Sequence, residues 1–192
     1  RRTFGNIRKY ILMGTSSNFG NMFSMAGAAL FLPFLPMLPT QILLNNILYD
    51  VSETPIPLDE VDAVDIRTPR VLDLNFIRNF MLVIGPISSL FDFLTFYVML
   101  VVLQANEQLF QTGWFVESLC TQVLVIFIIR TRGNPLKSRP HPLLVATSLV
   151  VAAIAILLPL TPLGAYFGFV PPPARFYLIL GGMVVVYLCI VE

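Results

Sequence analysis

Six side chains with oxygen ligands sit inside otherwise apolar runs: Asn18, Asn21, Asn46, Asp50, Asp92 and Glu117. Amide and carboxylate oxygens are the donors that hard cations such as Mg2+ and Ca2+ take. Asn18 and Asn21 are three apart and Asn46 and Asp50 four apart, so on helices each pair shares a face. A carboxylate at the centre of a membrane helix costs about 2.5–3.5 kcal/mol on insertion scales and is kept where something compensates it. Each position also has a plainer reading. Asn18 and Asn21 could tie helices together, a common use of amides in lipid. Asp50 and Asp92 could be neutral acids bonded to a neighbouring helix. Glu117 lies nearer the end of its run, where a ligand, an entry-path residue and an interfacial acid are all open readings.

The elements that must carry these residues follow from composition. The chain is 56% hydrophobic and only 12% charged, with mean hydropathy +0.80. That charged share is about half that of a soluble domain, and a lipid setting accounts for it. A net charge of +1 gives no basis for a nucleic-acid partner. At about 20 apolar residues per crossing, six spans are expected, near 10–32, 39–55, 80–103, 113–129, 142–160 and 176–191. The fold class expected is an all-α membrane protein, a six-transmembrane-helix bundle. With the N-terminus in the cytoplasm, eleven of the twelve Lys and Arg residues fall on the cytoplasmic side and only Arg175 outside, as the positive-inside rule asks. Trp114, Tyr166 and Phe169 then lie near the outer interface. A rise of about 1.5 Å per residue puts Asn18–Asn21, Asp50 and Asp92 near one depth in a core about 30 Å thick.

Other features read more plainly. Gly20, Ser24 and Ala28 form a small-residue stripe that lets a second helix approach. Gly85-Pro86 is a point where the third span could kink. Cys120 and Cys189 lack metal-ligand spacing and read as buried thiols. Asp59, Glu60, Asp62 and Asp65 form an acidic loop, solvated by default, with cation gathering or docking as the alternative. His141, before a proline at the cytoplasmic boundary, has no assigned chemistry. The run starts at Arg1 and ends at Glu192 inside an apolar stretch, which suggests a piece of a larger protein.

Ser16-Ser17-Asn18-Phe19-Gly20-Asn21 resembles the fifth-helix motif of P-type ATPases, and Asn46-Ile47-Leu48-Tyr49-Asp50 their sixth-helix motif. Calcium pumps carry SSNxGE and NLxTD there, so Asn21 stands in place of Glu and Tyr49 in place of Thr. SSNFGNMFS, FLPFLPMLP, LYDVSETPIP, GPISSLFDFLTF, LFQTGWFVESL and IIRTRGNP resemble the bacterial magnesium-transporting P-type ATPases across the whole chain. The resemblance implies that residues 1–192 are the C-terminal transmembrane domain, helices five to ten, of a bacterial inner-membrane pump with both ends of this piece cytoplasmic. It implies Asn21, Asp50 and Asp92 as ion-binding positions, with Asn18 and Asn46 matching the motif more generally. It implies Mg2+ as the transported ion, imported by a protein that forms an aspartyl-phosphate. Mg2+ with ATP, and the phosphorylation, nucleotide and actuator domains, would belong to the rest of the pump, because the DKTG and TGDGxND motifs are not in this stretch. The expected partners are the cation, membrane lipids and the N-terminal half of the same pump. A pump for calcium, manganese or protons, a standalone six-helix channel or carrier, and a non-transporting scaffold are the alternatives.

Overall fold

Proline and polar caps set where the helices begin. Pro39 and Pro142 each occupy a first-turn position, where the missing N–H costs nothing. Asp73 accepts from the Asn75 N–H (2.9 Å) and Asn106 from the Leu109 N–H (2.9 Å), the usual side-chain caps for free first-turn donors. The computed structural model describes residues 2–59, 73–130 and 139–191. Among these it is helical with no strand: α1 (Arg2–Ala29), α2 (Pro39–Glu53), α3 (Leu74–Tyr97), α4 (Glu107–Ile129), α5 (Pro142–Leu157), the short α6 (Pro162–Tyr166) and α7 (Ala174–Val191). A π-helical turn, Val98–Val102, extends α3, and single 3-10 turns follow α2 and α5.

Four helical segments are long and apolar enough to cross a bilayer: Leu74–Val102, Glu107–Ile129, Pro142–Leu160 and Ala174–Val191. The expected six are therefore met in part. The Thr15–Asn21 polar run lies within α1, and α2 has only 15 residues. Both nevertheless run between the same two ends of the bundle. At one end Lys9 of α1, Asp59 after α2, Arg130 after α4 and His141 before α5 meet. At the other, Gln111 Nε2 donates to the Leu35 carbonyl (2.8 Å) and Gln41 Nε2 to the Phe167 carbonyl (2.9 Å).

α4 is the hub. Of its most apolar stretch 78% is buried, against 22–39% for the other three spans. Its neighbours leave Leu90, Leu149, Leu178 and Val185 more than half exposed, the faces that lipid would cover. α1 packs along α3 through the small-residue stripe. A Cβ on Gly20 would stand 3.3 Å from the Gly85 carbonyl oxygen, and Ser89 Oγ donates to the Gly20 carbonyl at 3.0 Å.

Three expectations change. Asp59 is not solvated: it is buried with Lys9 Nζ at 3.1 Å and Arg130 Nη1 at 2.8 and 3.0 Å from its oxygens. Its acidic companions Glu60, Asp62 and Asp65 lie outside the described residues. Trp114 and Phe169 are buried rather than interfacial, while Tyr166 is exposed. An indole needs a partner for its N–H when buried, and Trp114 has one inside the bundle. Cys120 is a buried thiol, but Cys189 is exposed.

The Asp59 cluster gives the first prediction. Burial alone would raise the Asp59 pKa. The His141 N–H, the Arg130 hydrogen bonds and the charges of Lys9 and Arg130 outweigh it and hold the carboxyl below its ordinary value. A depressed acid stabilises the fold above its unfolded pKa, about 3.9, and the gain is lost as pH falls through the folded value. Asp59→Asn removes the buried carboxylate charge on which Lys9, Arg130 and the His141 N–H converge, and breaking a buried pair of this kind is strongly destabilising. Thermal melts of the purified protein should show a large drop in Tm at pH 7 and a shallower loss of stability on the acid side. An unchanged melt would contradict the cluster.

Candidate cation site

α3 carries the central acid. Gly85, Ser89, Asp92 and Phe96 recur at helical spacing, so one face of α3 presents a close-approach point, a hydroxyl, a carboxylate and a ring to its neighbours. Asp92 is 2% exposed. Its Oδ2 accepts from Ser24 Oγ of α1 at 2.5 Å, and its Oδ1 from Trp114 Nε1 of α4 at 2.8 Å. The indole is held edge-on against Phe96, with ring centroids 4.9 Å apart. One carboxylate thus joins three helices.

Glu117, one turn from Trp114 on α4, is 1% exposed. Its carboxyl lies beside Asp92, Thr95 and Thr121, yet neither oxygen has a hydrogen-bond partner in the structure. Buried acid oxygens without partners are uncommon, and here two acids adjoin in an apolar interior. Asn21 borders them. Its Oδ1 accepts from Gln122 Nε2 at 3.0 Å and from Ser118 Oγ at 3.3 Å, and Gln122 in turn donates to Ser118 Oγ. The junction of α1, α3 and α4 therefore gathers two carboxylates, two amides and several hydroxyls. It suits an oxygen-loving cation that keeps part of its water. Among the described residues, no three His, Cys, Asp or Glu side chains converge as a metal cluster; the rest of the set is neutral oxygen. On the Lys9 side a small pocket opens, with Ser16, Ser17, Ser88 and Gln122 set in a largely apolar lining that includes Met13 and Val125.

The sequence-predicted residues divide. Asp92 and Glu117 are brought together and Asn21 stands at their border. Asn18, Asn46 and Asp50 are exposed on α1 and α2, so Asp50 does not meet Asp92 within these residues. Asn45, not Asn46, points inward on α2, with both amide atoms unpartnered.

The family described as cation transporting ATPase, C-terminus, matches residues 34–192. The chain belongs to that family. Relatives named magnesium-transporting ATPase, P-type 1, are 46% identical over 183 residues in Salmonella typhimurium strain LT2 and 45% over 183 residues in Escherichia coli strain K12, each alignment covering 92% of this chain. A third, from Salmonella typhimurium strain 14028s, is 44% identical across the whole chain. The chain spans about a fifth of the length of these relatives, 20–22%.

For a C-terminal segment of a cation-transporting ATPase, the residues that sequence reading passed over are informative. Ser24 was visible only as a small residue in a packing stripe. Trp114 was the lone tryptophan, and its position suggested an interface anchor. Ser118 and Gln122, four apart on α4, carried a readable signal: they share a face and lie within a turn or two of Glu117. The buried and exposed acids should behave differently. Asp92→Leu strands the Ser24 and Trp114 donors, at about 1–3 kcal/mol each, and should lower the Tm by several degrees. Asp50→Asn, on an exposed face of α2, should leave it nearly unchanged. Equal melts for the two variants would contradict the placement.

Proposed function

We propose that this chain is the ion-pathway half of a P-type ATPase that carries a divalent cation, Mg2+ inward, across the bacterial plasma membrane. The observation that carries the reading is the buried Asp92–Glu117 pair bordered by the Asn21 amide, where α1, α3 and α4 meet. The names of the relatives supply the ion. Mg2+ sheds water reluctantly and commonly keeps several waters beside one or two carboxylates. Two acids among amides and hydroxyls fit that habit better than a dense carboxylate cage.

Asp50, Asn46 and Asn18 enter the same reading by a different argument. A carboxylate facing hydrocarbon is costly, so the exposed polar faces of α1 and α2 are surfaces for protein rather than lipid. In this proposal the N-terminal transmembrane half of the pump covers them and completes the cation's oxygen shell. α1 to α4 are then the pathway-lining spans of a six-helix set, with Asp92 and Glu117 on α3 and α4, and α5 and α7 pack around them. Residues 1–192 make up one C-terminal membrane domain with both ends in the cytoplasm. ATP hydrolysis, with its own Mg2+, takes place on the cytoplasmic domains of the full-length protein, whose motions would tilt α1 and alter access to the site.

The test is ATP-driven uptake by the full-length protein in proteoliposomes, measured for Mg2+, Ca2+ and Mn2+. Mg2+ should be carried best. Glu117→Gln and Asp50→Asn should each raise the half-saturating Mg2+ concentration by about tenfold or more, a loss of about 1.4 kcal/mol or more of binding free energy. Uptake of full-length protein that ignores Mg2+, or a Mg2+ dependence that survives both substitutions, would overturn the reading and favour another ion or a packing role for these side chains.

A further inference from the structure

We infer that Trp114 and Ser24 are positioning residues for cation binding: they clamp Asp92 from opposite helices and fix which way its remaining lone pairs point. The inference rests on the site proposed above. Its own basis is the hydrogen-bond geometry around Asp92. Trp114 Nε1 and Ser24 Oγ each take a different oxygen of the carboxylate, at 2.8 and 2.5 Å. All three residues are buried, with Ser24 at 0%, Trp114 at 1% and Asp92 at 2% exposure. An indole N–H has no acceptor lone pair and cannot itself hold a cation. Its orientation is further fixed by the edge-on contact with Phe96.

Two donors on two oxygens hold a carboxylate plane in place. Each oxygen keeps lone-pair capacity for a further ligand. Glu117 contrasts with it, because neither of its oxygens has a hydrogen-bond partner. The pair therefore combines an acid held by two donors and an acid without a donor of its own. A small ion with strict geometry gains from ligands held in place beforehand, and partners behind a metal ligand commonly contribute 10–100-fold in affinity. Trp114 and Ser24 act through Asp92, so their loss should weaken ion binding without removing a ligand.

The experiment uses the full-length protein in proteoliposomes, with Mg2+ uptake measured against Mg2+ concentration. Ser24→Ala and Trp114→Phe should each raise the half-saturating Mg2+ about tenfold and leave the maximal rate within about twofold, the lower end of the range for lost supporting contacts. Ser24→Thr keeps the hydroxyl and should restore near-normal half-saturation. Trp114→Phe added to Asp92→Asn should bring no further weakening, because the clamp then has no carboxylate to hold. If Trp114→Phe fails to fold, the Ser24→Ala and Ser24→Thr pair decides alone. Normal half-saturation in Ser24→Ala, or equal damage from Ser24→Ala and Ser24→Thr, would overturn the inference. If Asp92→Asn itself leaves half-saturation unchanged, the site reading fails. If only the Asp92 variant shifts it, the site stands and the clamp fails.

Discussion

Two carboxylates buried side by side are the constraint around which this bundle is organised. Asp92 and Glu117 are nearly inaccessible, in an apolar interior where an uncompensated acid is expensive. One is offset by an indole and a hydroxyl delivered from different helices. For that to happen α1 must approach α3 within reach of a serine, which explains the small residues at Gly20 and Gly85 where the two backbones come close. It also explains why the lone tryptophan of the chain is in the core.

The same logic operates at the end of the bundle marked by Lys9. There Asp59 gathers Lys9, Arg130 and the His141 N–H, so one carboxylate ties the start of α1 to the α4–α5 connection. The Asp92–Glu117 junction and this cluster share α1 and α4. α1 and the helix that carries Glu117 and Trp114 are thus joined through a carboxylate at both places. α4 is the most enclosed of the apolar spans.

Much of this was legible in sequence. Apolar runs of about 20 residues marked α3, α4, α5 and α7, since bilayer thickness sets that length. Spacings of three and four placed each Asn and Asp pair on a face, and the motif order pointed to the family. What sequence could not give was which face turns inward. Asn46 and Asp50 share a face, but that face is exposed, and Asn45 takes the interior. Glu117 looked peripheral by its distance from the end of its run; only the crossing of α3 and α4 sets it beside Asp92. Asp59 read as one of a solvated acidic group because its two cations are 50 and 71 residues away in sequence. Long-range contacts of that kind have no local signature.

Direct metal binding tests the central claim without relying on turnover. Mn2+ can stand in for Mg2+ as a spectroscopic probe, and its electron paramagnetic resonance in nucleotide-free, full-length protein counts bound ions. Wild-type protein should hold one more Mn2+ than the Glu117→Gln, Asp92→Asn double variant, and excess Mg2+ should displace it. Equal Mn2+ occupancy in the two proteins would contradict a cation site at the junction of α1, α3 and α4.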